Sequence, residues 1–132
     1  MKKKLLIFLF GMFSLLFVSC DSDKQGPSGD EIELSQKETT FTAEQNTITI
    51  TTKRKGWWVS EFMMDKVSIP KGDVNFIAEN FLFKNDDFQL EKKNGNTLII
   101  TMNKNTTNKE RLLRIGLQAG NYFSSINITQ AK

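Results

Sequence analysis

Residues 88–102 read FQLEKKNGNTLIITM, two short segments of alternating apolar and polar residues on either side of Asn94-Gly95. Alternation with a period of two is typical of a β-strand that buries one of its faces. An Asn-Gly pair readily adopts the positive φ angles that a tight hairpin turn requires. We therefore predict a β-hairpin with strands over Phe88–Lys92 and Thr97–Met102.

The same alternation recurs on both sides of this hairpin. Apolar residues alternate with polar or threonine residues at Ile32 and Leu34; at Ile48 and Ile50; at Trp57 and Val59; at Leu113, Ile115 and Leu117; and at Ile126 and Ile128. A second turn, Ala119-Gly120-Asn121, separates Arg111–Leu117 from Phe123–Gln130. About seven short strands at this spacing predict an all-β fold, an antiparallel sandwich of two sheets.

One region, Phe62–Asp87, breaks the alternation. The spacing of its apolar residues fits a short helix behind an Asp73 cap, whereas Asn80–Lys84 fits a strand equally well. The residues that would stripe such a helix are Val74, Ile77, Ala78 and Phe81. We expect an irregular or short helical insertion in the sandwich.

The N-terminus has the pattern of an export signal. Lys2-Lys3-Lys4 precedes an apolar run over Leu5–Val18, which is too short to span a bilayer, and Ser19-Cys20 follows. The last five residues of this segment, LFVSC, resemble a bacterial lipobox. We predict a signal peptide over residues 1–19, lipidation at Cys20, a flexible tether over residues 20–30 and a single domain over residues 31–132. The membrane is then the first partner, contacted through the N-terminal lipid.

The location follows from the same segment. Asp21 and Asp23 resemble the acidic export signal of surface lipoproteins in the Bacteroidetes group, so we expect the cell envelope, with an anchor in the outer membrane and exposure at the cell surface. Without the three lysines of the signal, 15 basic residues balance 15 acidic ones, and the charge gives no reason to expect nucleic acid as a partner. The chain has one cysteine, so a lipidated Cys20 leaves no intramolecular disulfide.

A set of residues through the domain resembles the BACON family, the Bacteroidetes-associated carbohydrate-binding often N-terminal domain. They are Ile32-Glu33-Leu34-Ser35, Phe41, Thr47–Thr52, the tryptophans at 57–58, Asn105, Arg111 and Ile126-Asn127-Ile128-Thr129-Gln130. Phe88 stands where the family often has Trp, and Phe62–Asp87 does not follow the family. The resemblance implies an immunoglobulin-like sandwich and carbohydrate or mucin binding, although other members of the family look like spacers.

Two aromatic residues are candidate ligand contacts. Trp57 lies two residues before Val59, so in a strand both face the same side, and we expect both in the core. Trp58 is then expected to face outward, where its ring would stack on a sugar. Partial burial of Trp58 under the central insertion is the competing interpretation. Tyr122, at a hairpin tip, is the second candidate; its ring would otherwise pack locally.

The sequence carries no catalytic signature. Histidine is absent, no thiol remains once Cys20 is lipidated, and no looped run of oxygen ligands suggests calcium. Asp86 and Asp87 are expected to bond backbone amides in a turn, and Arg111 is expected to pair with an acid or to cap loop carbonyls. We predict a protein that is not an enzyme, with no catalytic residues, no cofactor and no metal.

Two functional hypotheses remain. The first is a surface module that binds a polysaccharide through Trp58, with Tyr122 as a further contact. The second is a structural or protein-interaction subunit, a spacer or a component of an envelope or pilus complex, with Phe62–Asp87 as its interface.

Overall fold

The computed structural model describes residues 31–132, so the predicted signal peptide, Cys20 and the tether lie outside the described residues. In the described part the chain forms nine strands and no helix. The strands are β1 (Glu38–Phe41), β2 (Asn46–Thr51), β3 (Trp58–Met64), β4 (Val67–Ile69), β5 (Phe81–Lys84), β6 (Phe88–Lys93), β7 (Thr97–Met102), β8 (Arg111–Ala119) and β9 (Tyr122–Gln130).

These strands form two sheets that pack face to face, which confirms the predicted all-β sandwich. The five-stranded sheet has the order β1-β9-β8-β3-β4, and the four-stranded sheet has the order β2-β7-β6-β5. The prediction of about seven antiparallel strands was wrong in two details. There are nine strands among the described residues, and β1 runs parallel to β9, with Glu38 opposite Asn127 and Phe41 opposite Gln130.

Both predicted hairpins are present. β6 and β7 pair in register from Phe88–Met102 to Lys93–Thr97, and Asn94 and Gly95 have φ angles of 54° and 78° at the turn. β8 and β9 pair as far as Ala119 and Tyr122, and Gly120 has a φ of 59°. These left-handed conformations suit Asn and Gly, which explains the position of each turn.

The region over Phe62–Asp87 contains strands and turns rather than a helix. β3 continues to Met64 and folds back as β4, and β5 takes up the strand alternative predicted for Asn80–Lys84. The short helix, one of the alternatives for this region, does not form, because the apolar side chains make different contacts. Phe76 is buried against Phe62 with ring centroids 5.6 Å apart, whereas Ile77 is 74% exposed.

The core lies between the inner faces of the two sheets. Its aliphatic part joins residues such as Leu90 and Ile100 of one sheet to Ile115 and Ile128 of the other. One end of the core is aromatic, because the rings of Phe62, Phe76, Phe83 and Phe88 lie within about 6 Å of one another in several pairs. Ile32 is buried in this core, but the expected N-terminal strand is reduced to a single bridge between Leu34 and Thr52.

A buried polar cluster closes one end of the sandwich. The Arg111 guanidinium pairs with Asp87 at 3.0 Å and donates to the Asn103 carbonyl and to the Gln130 side-chain oxygen, at 3.2 and 2.7 Å. The prediction for Arg111 is therefore confirmed. The prediction for Asp87 was wrong: its carboxylate binds Arg111, and the backbone amides of the turn are bonded instead by the side-chain oxygen of Asn85.

Candidate functional site

The two adjacent tryptophans lie on opposite faces of the five-stranded sheet. Trp57, which directly precedes β3, is 1% exposed, and its indole N–H donates to Thr52 Oγ1 and to the Arg54 carbonyl, both at 3.0 Å. Trp58 is half-buried and begins β3 opposite Gln118, whose neighbour Leu117 faces the core opposite Val59. The indole of Trp58 therefore lies on the outer face of the sheet, as the parity of the sequence predicts.

Strand register places a second aromatic residue in line with Trp58. Gln118 of β8 is opposite Trp58 on one side and opposite Phe123 of β9 on the other. Phe123 is 64% exposed, so most of its ring surface is open to solvent. We call Trp58, Gln118 and Phe123 the aromatic row. Because neighbouring strands lie about 4.8 Å apart, the two aromatic residues stand roughly 10 Å apart with an amide between them.

The next row of the same face is polar and contains a glycine. It consists of Glu61, Gly116 and Ser125, beside a β-bulge in β3 between Val59 and Glu61. A Cβ at Gly116 would meet the Cγ of Glu61 at 2.8 Å and the Oγ of Ser60 at 3.1 Å. The absence of a side chain therefore lets Glu61 lie across the sheet next to the aromatic row.

Arg114 links the polar residues of this face. Its Nε lies 3.7 Å from a carboxylate oxygen of Glu61, and its Nη1 donates to Ser125 Oγ at 3.1 Å. Asn127 donates to the same hydroxyl oxygen at 3.4 Å. Hydroxyl, amide and carboxylate groups thus lie beside two aromatic rings, a combination that suits a ligand with apolar faces and hydroxyl edges.

Tyr122 lies on the other side of the sheet from the aromatic row. It pairs with Ala119 next to the hairpin turn, and both residues pack partly against the core. With Glu31, Gly120 and Asn121 they line an open cavity of about 330 Å³ at this end of the sandwich. The two candidate contacts predicted from the sequence, Trp58 and Tyr122, therefore do not share one surface, and Phe123 is the residue that the structure aligns with Trp58.

Phe123 was missed in the sequence, although a signal for it is present. Counting back in steps of two from the buried Ile128 and Ile126 gives Ser124 an inward position and Phe123 an outward one. An outward phenylalanine next to a turn is a reasonable candidate contact. Its alignment with Trp58 depends on the register of three strands, which the local pattern does not contain.

A buried lysine, Lys92, contacts Trp57, the residue directly before the aromatic row. Lys92 is 2% exposed; its ammonium donates to the Trp57 carbonyl at 2.9 Å and lies 3.9 Å from the centre of a Trp57 ring. Burial lowers the pKa of Lys92 below its usual 10.5, and the nearby carboxylate of Glu79 partly opposes this effect. The contact fixes the backbone directly before Trp58.

The remaining predictions concern lipidation, metal binding and the membrane. Cys20 lies outside the described residues. Within residues 31–132, no three His, Cys, Asp or Glu side chains come together in a way that could hold a metal ion. The same residues contain no helix of the length and hydrophobicity needed to cross a bilayer.

Comparisons with known proteins give the fold and little more. No family model matches the chain, and no curated protein matches it. Among solved structures, the chain is similar to an NMR structure of a protein from Bacteroides thetaiotaomicron, with a TM-score of 0.63 and 19% identity over 80% of this chain and 92% of that one. At this identity the likeness shows the fold alone. The BACON resemblance and the immunoglobulin-like topology stay predictions.

Proposed function

We propose that this protein is a lipid-anchored binding module of the bacterial cell envelope that binds carbohydrate on the outer face of its five-stranded sheet. The observation that carries the proposal is the aromatic row, in which Gln118 stands between the half-buried Trp58 and the exposed Phe123. The anchor is Cys20, and the location proposed from Asp21 and Asp23 is the outer membrane, with the domain at the cell surface.

The chemistry of the row suits a sugar. The apolar C–H face of a sugar ring stacks on a flat aromatic side chain, and amide or hydroxyl groups at the ring edge bond the sugar's hydroxyls. The backbone directly before Trp58 is held by the contacts of Trp57 with Lys92 and Thr52. A backbone that is already ordered loses little conformational entropy on binding, which favours a contact at this position.

A second candidate function is a protein-interaction subunit of an envelope complex. Val67, Ile77 and Leu82, all from the region over Phe62–Asp87, are 67%, 74% and 52% exposed. Exposed apolar side chains on one segment are typical of protein interfaces. Phe62, Phe76 and Phe83 of the same region are buried in the core and are therefore not available to a protein partner. For this reason we favour the carbohydrate proposal.

The test is binding of the full-length protein, purified in detergent, to immobilised plant and host polysaccharides. We expect binding to at least one of them, weakened about tenfold or more by Phe123→Ala and by Trp58→Ala, which corresponds to about 1.4 kcal/mol or more. Leu82→Ala is the matched control, because it removes an exposed apolar side chain from the other sheet. Circular dichroism of each variant checks that the fold is retained.

Two outcomes would decide against carbohydrate. Absence of binding to every polysaccharide, repeated by calorimetry in solution, would contradict the proposal directly. Crosslinking in intact cells that captures an envelope protein, and that is lost in Ile77→Asp but kept in Phe123→Ala, would support the interaction subunit.

A further inference from the structure

We infer that the ligand of the aromatic row is an uncharged glycan chain of at least three sugars, lying extended across the strands of the five-stranded sheet. This inference rests on the proposed function and adds the length, direction and charge of the ligand. It is argued from the register of β3, β8 and β9 and from the charged groups beside the aromatic row.

The length follows from the width of the row. Trp58 and Phe123 belong to strands separated by β8, so their backbone positions lie roughly 10 Å apart across the sheet. One sugar ring covers the side chain of Trp58, and a second sugar ring is needed to cover that of Phe123. Gln118 lies between the aromatics; its side-chain nitrogen donates to the Gly120 carbonyl at 3.0 Å, which leaves its side-chain oxygen and second amide hydrogen to bond the hydroxyls of an intervening sugar. A ligand that uses the whole row is therefore at least a trisaccharide.

The direction follows from the same register. The three side chains lie in one line perpendicular to the strands, and the neighbouring row of Glu61, Gly116 and Ser125 runs parallel to it. Gly116 has no side chain of its own, and Glu61 and Ser60 fill the space over it, so the Glu61 side chain lies beside the aromatic row. A chain lying along the aromatic row would place its ring edges beside this polar row, within reach of the Ser125 hydroxyl and the Glu61 carboxylate.

That the ligand is uncharged follows from the small number of cations on the outer face of the five-stranded sheet. Among the described residues, the outward side chains of the five strands include a single cation, Arg114, and it already pairs with Glu61 and bonds Ser125. Lys71, a cation beside the bulge, donates to the Ser60 carbonyl at 3.0 Å and lies 5.6 Å from the ring centre of Phe76.

Carboxylates exceed cations on the outer face of this sheet. Glu38 of β1 stands opposite Asn127, in the same row as Arg114. A uronate or sulfate group would lose its hydration against two aromatic rings and meet the carboxylate of Glu61 in the neighbouring row without a free cation to replace that hydration. A neutral chain has no such cost.

The experiment titrates the full-length protein in detergent with oligosaccharides of defined length. Neutral gluco-, manno- and xylo-oligosaccharides, from the disaccharide to the hexasaccharide, are compared with oligogalacturonates and sulfated chondroitin fragments of equal length. For at least one neutral series we expect the affinity to rise tenfold or more between the disaccharide and the tetrasaccharide and to level off beyond it. We expect less than a twofold change in that affinity between about 0.05 and 0.5 M NaCl, because no ion pair to the ligand is screened.

Phe123→Ala should remove the gain with length while leaving disaccharide affinity within about twofold, because Trp58 remains. Leu82→Ala should keep the full gain. Tighter binding of the acidic series, weakened by salt, would overturn the inference and leave the proposed function standing. Equal affinity for the disaccharide and the tetrasaccharide would also overturn the inference and leave the proposed function standing. Failure of every glycan to bind would overturn both.

Discussion

At the scale of single residues, Lys92 is the most unusual group in the described part of the chain. Its ammonium is buried, and its close partners are the carbonyl oxygen and the ring of Trp57. The hydrogen bond and the cation–π contact stabilise the charge, while the loss of water opposes it. The lowered pKa of Lys92 indicates that the loss of water is the larger effect.

This balance predicts a specific dependence of stability on pH. The folded state releases the Lys92 proton at a lower pH than the unfolded state, whose lysine keeps the ordinary pKa of 10.5. Below the folded pKa both states carry the proton and the full cost of burying the charge is present. Between the folded pKa and 10.5 the unfolded state binds more protons, so the Lys92 contribution to the free energy of unfolding rises with pH.

Lys92→Met should remove that rise. Urea denaturation of both proteins between about pH 7 and the ordinary lysine value of 10.5 isolates the contribution, because other alkaline titrations are shared and cancel in the difference. We expect the stability of the wild type relative to Lys92→Met to increase toward the upper end of this range. A difference that stays constant with pH would contradict a lowered pKa at Lys92.

At the scale of elements, the bulge in β3 and Gly116 of β8 form one unit. The bulge inserts Ser60 between Val59 and Glu61, and the chain opposite has a glycine where any side chain would meet Glu61 and Ser60. Bulges redirect side chains at functional edges of sheets. Here the effect is to lay the Glu61 carboxylate toward Arg114, directly beside the aromatic row.

Gly116→Ala should therefore cost stability through Glu61. The new methyl group would lie 2.8 Å from the Glu61 Cγ, so Glu61 must swing away and lose its contact with Arg114. We expect a loss of about 1 kcal/mol in the free energy of unfolding, at the low end for overpacking because Glu61 is at the surface. The same substitution in a Glu61→Ala background should cost clearly less. Equal costs in the two backgrounds would show that Glu61 is not the group displaced.

The sequence predicts a strand or turn correctly where neighbouring residues alone determine it. Asn94-Gly95 and Gly120 defined their hairpins because a turn with positive φ needs those residue types, whatever the rest of the chain does. The parallel pairing of Glu38 with Asn127 joins strands nearly the whole domain apart, and no local pattern specifies it. The burial of Phe76 was equally hidden, because it lies in a turn and is fixed by the rings of Phe62 and Phe81.

At the scale of the whole molecule, the end of the sandwich at which Glu31 lies also carries the aromatic row. Glu31, the first described residue, lies beside Ala119 and Tyr122, and the pair Gln118–Phe123 is the next one along the hairpin. Ten residues, Asp21–Asp30, separate it from Cys20. A flexible chain of that length spans about 17 Å on average and about 35 Å at most. If Cys20 is lipidated, the proposed site therefore works close to the membrane surface.

The proposed anchor predicts that Cys20→Ala changes location without changing binding. The variant lacks the thiol that would receive the lipid, so we expect no labelling with radioactive fatty acid and loss of stable association with the membrane, or retention of the uncleaved precursor. Ser22→Ala, two residues further on, is the control and should be labelled and fractionate like the wild type. Glycan affinity of the released domain should stay within about twofold of the detergent-solubilised wild type, because Trp58, the first residue of the row, lies 38 positions along the chain from the substitution. Fatty-acid labelling of Cys20→Ala would show that Cys20 is not the acceptor, and a large loss of glycan affinity would show that the lipid itself takes part in the site.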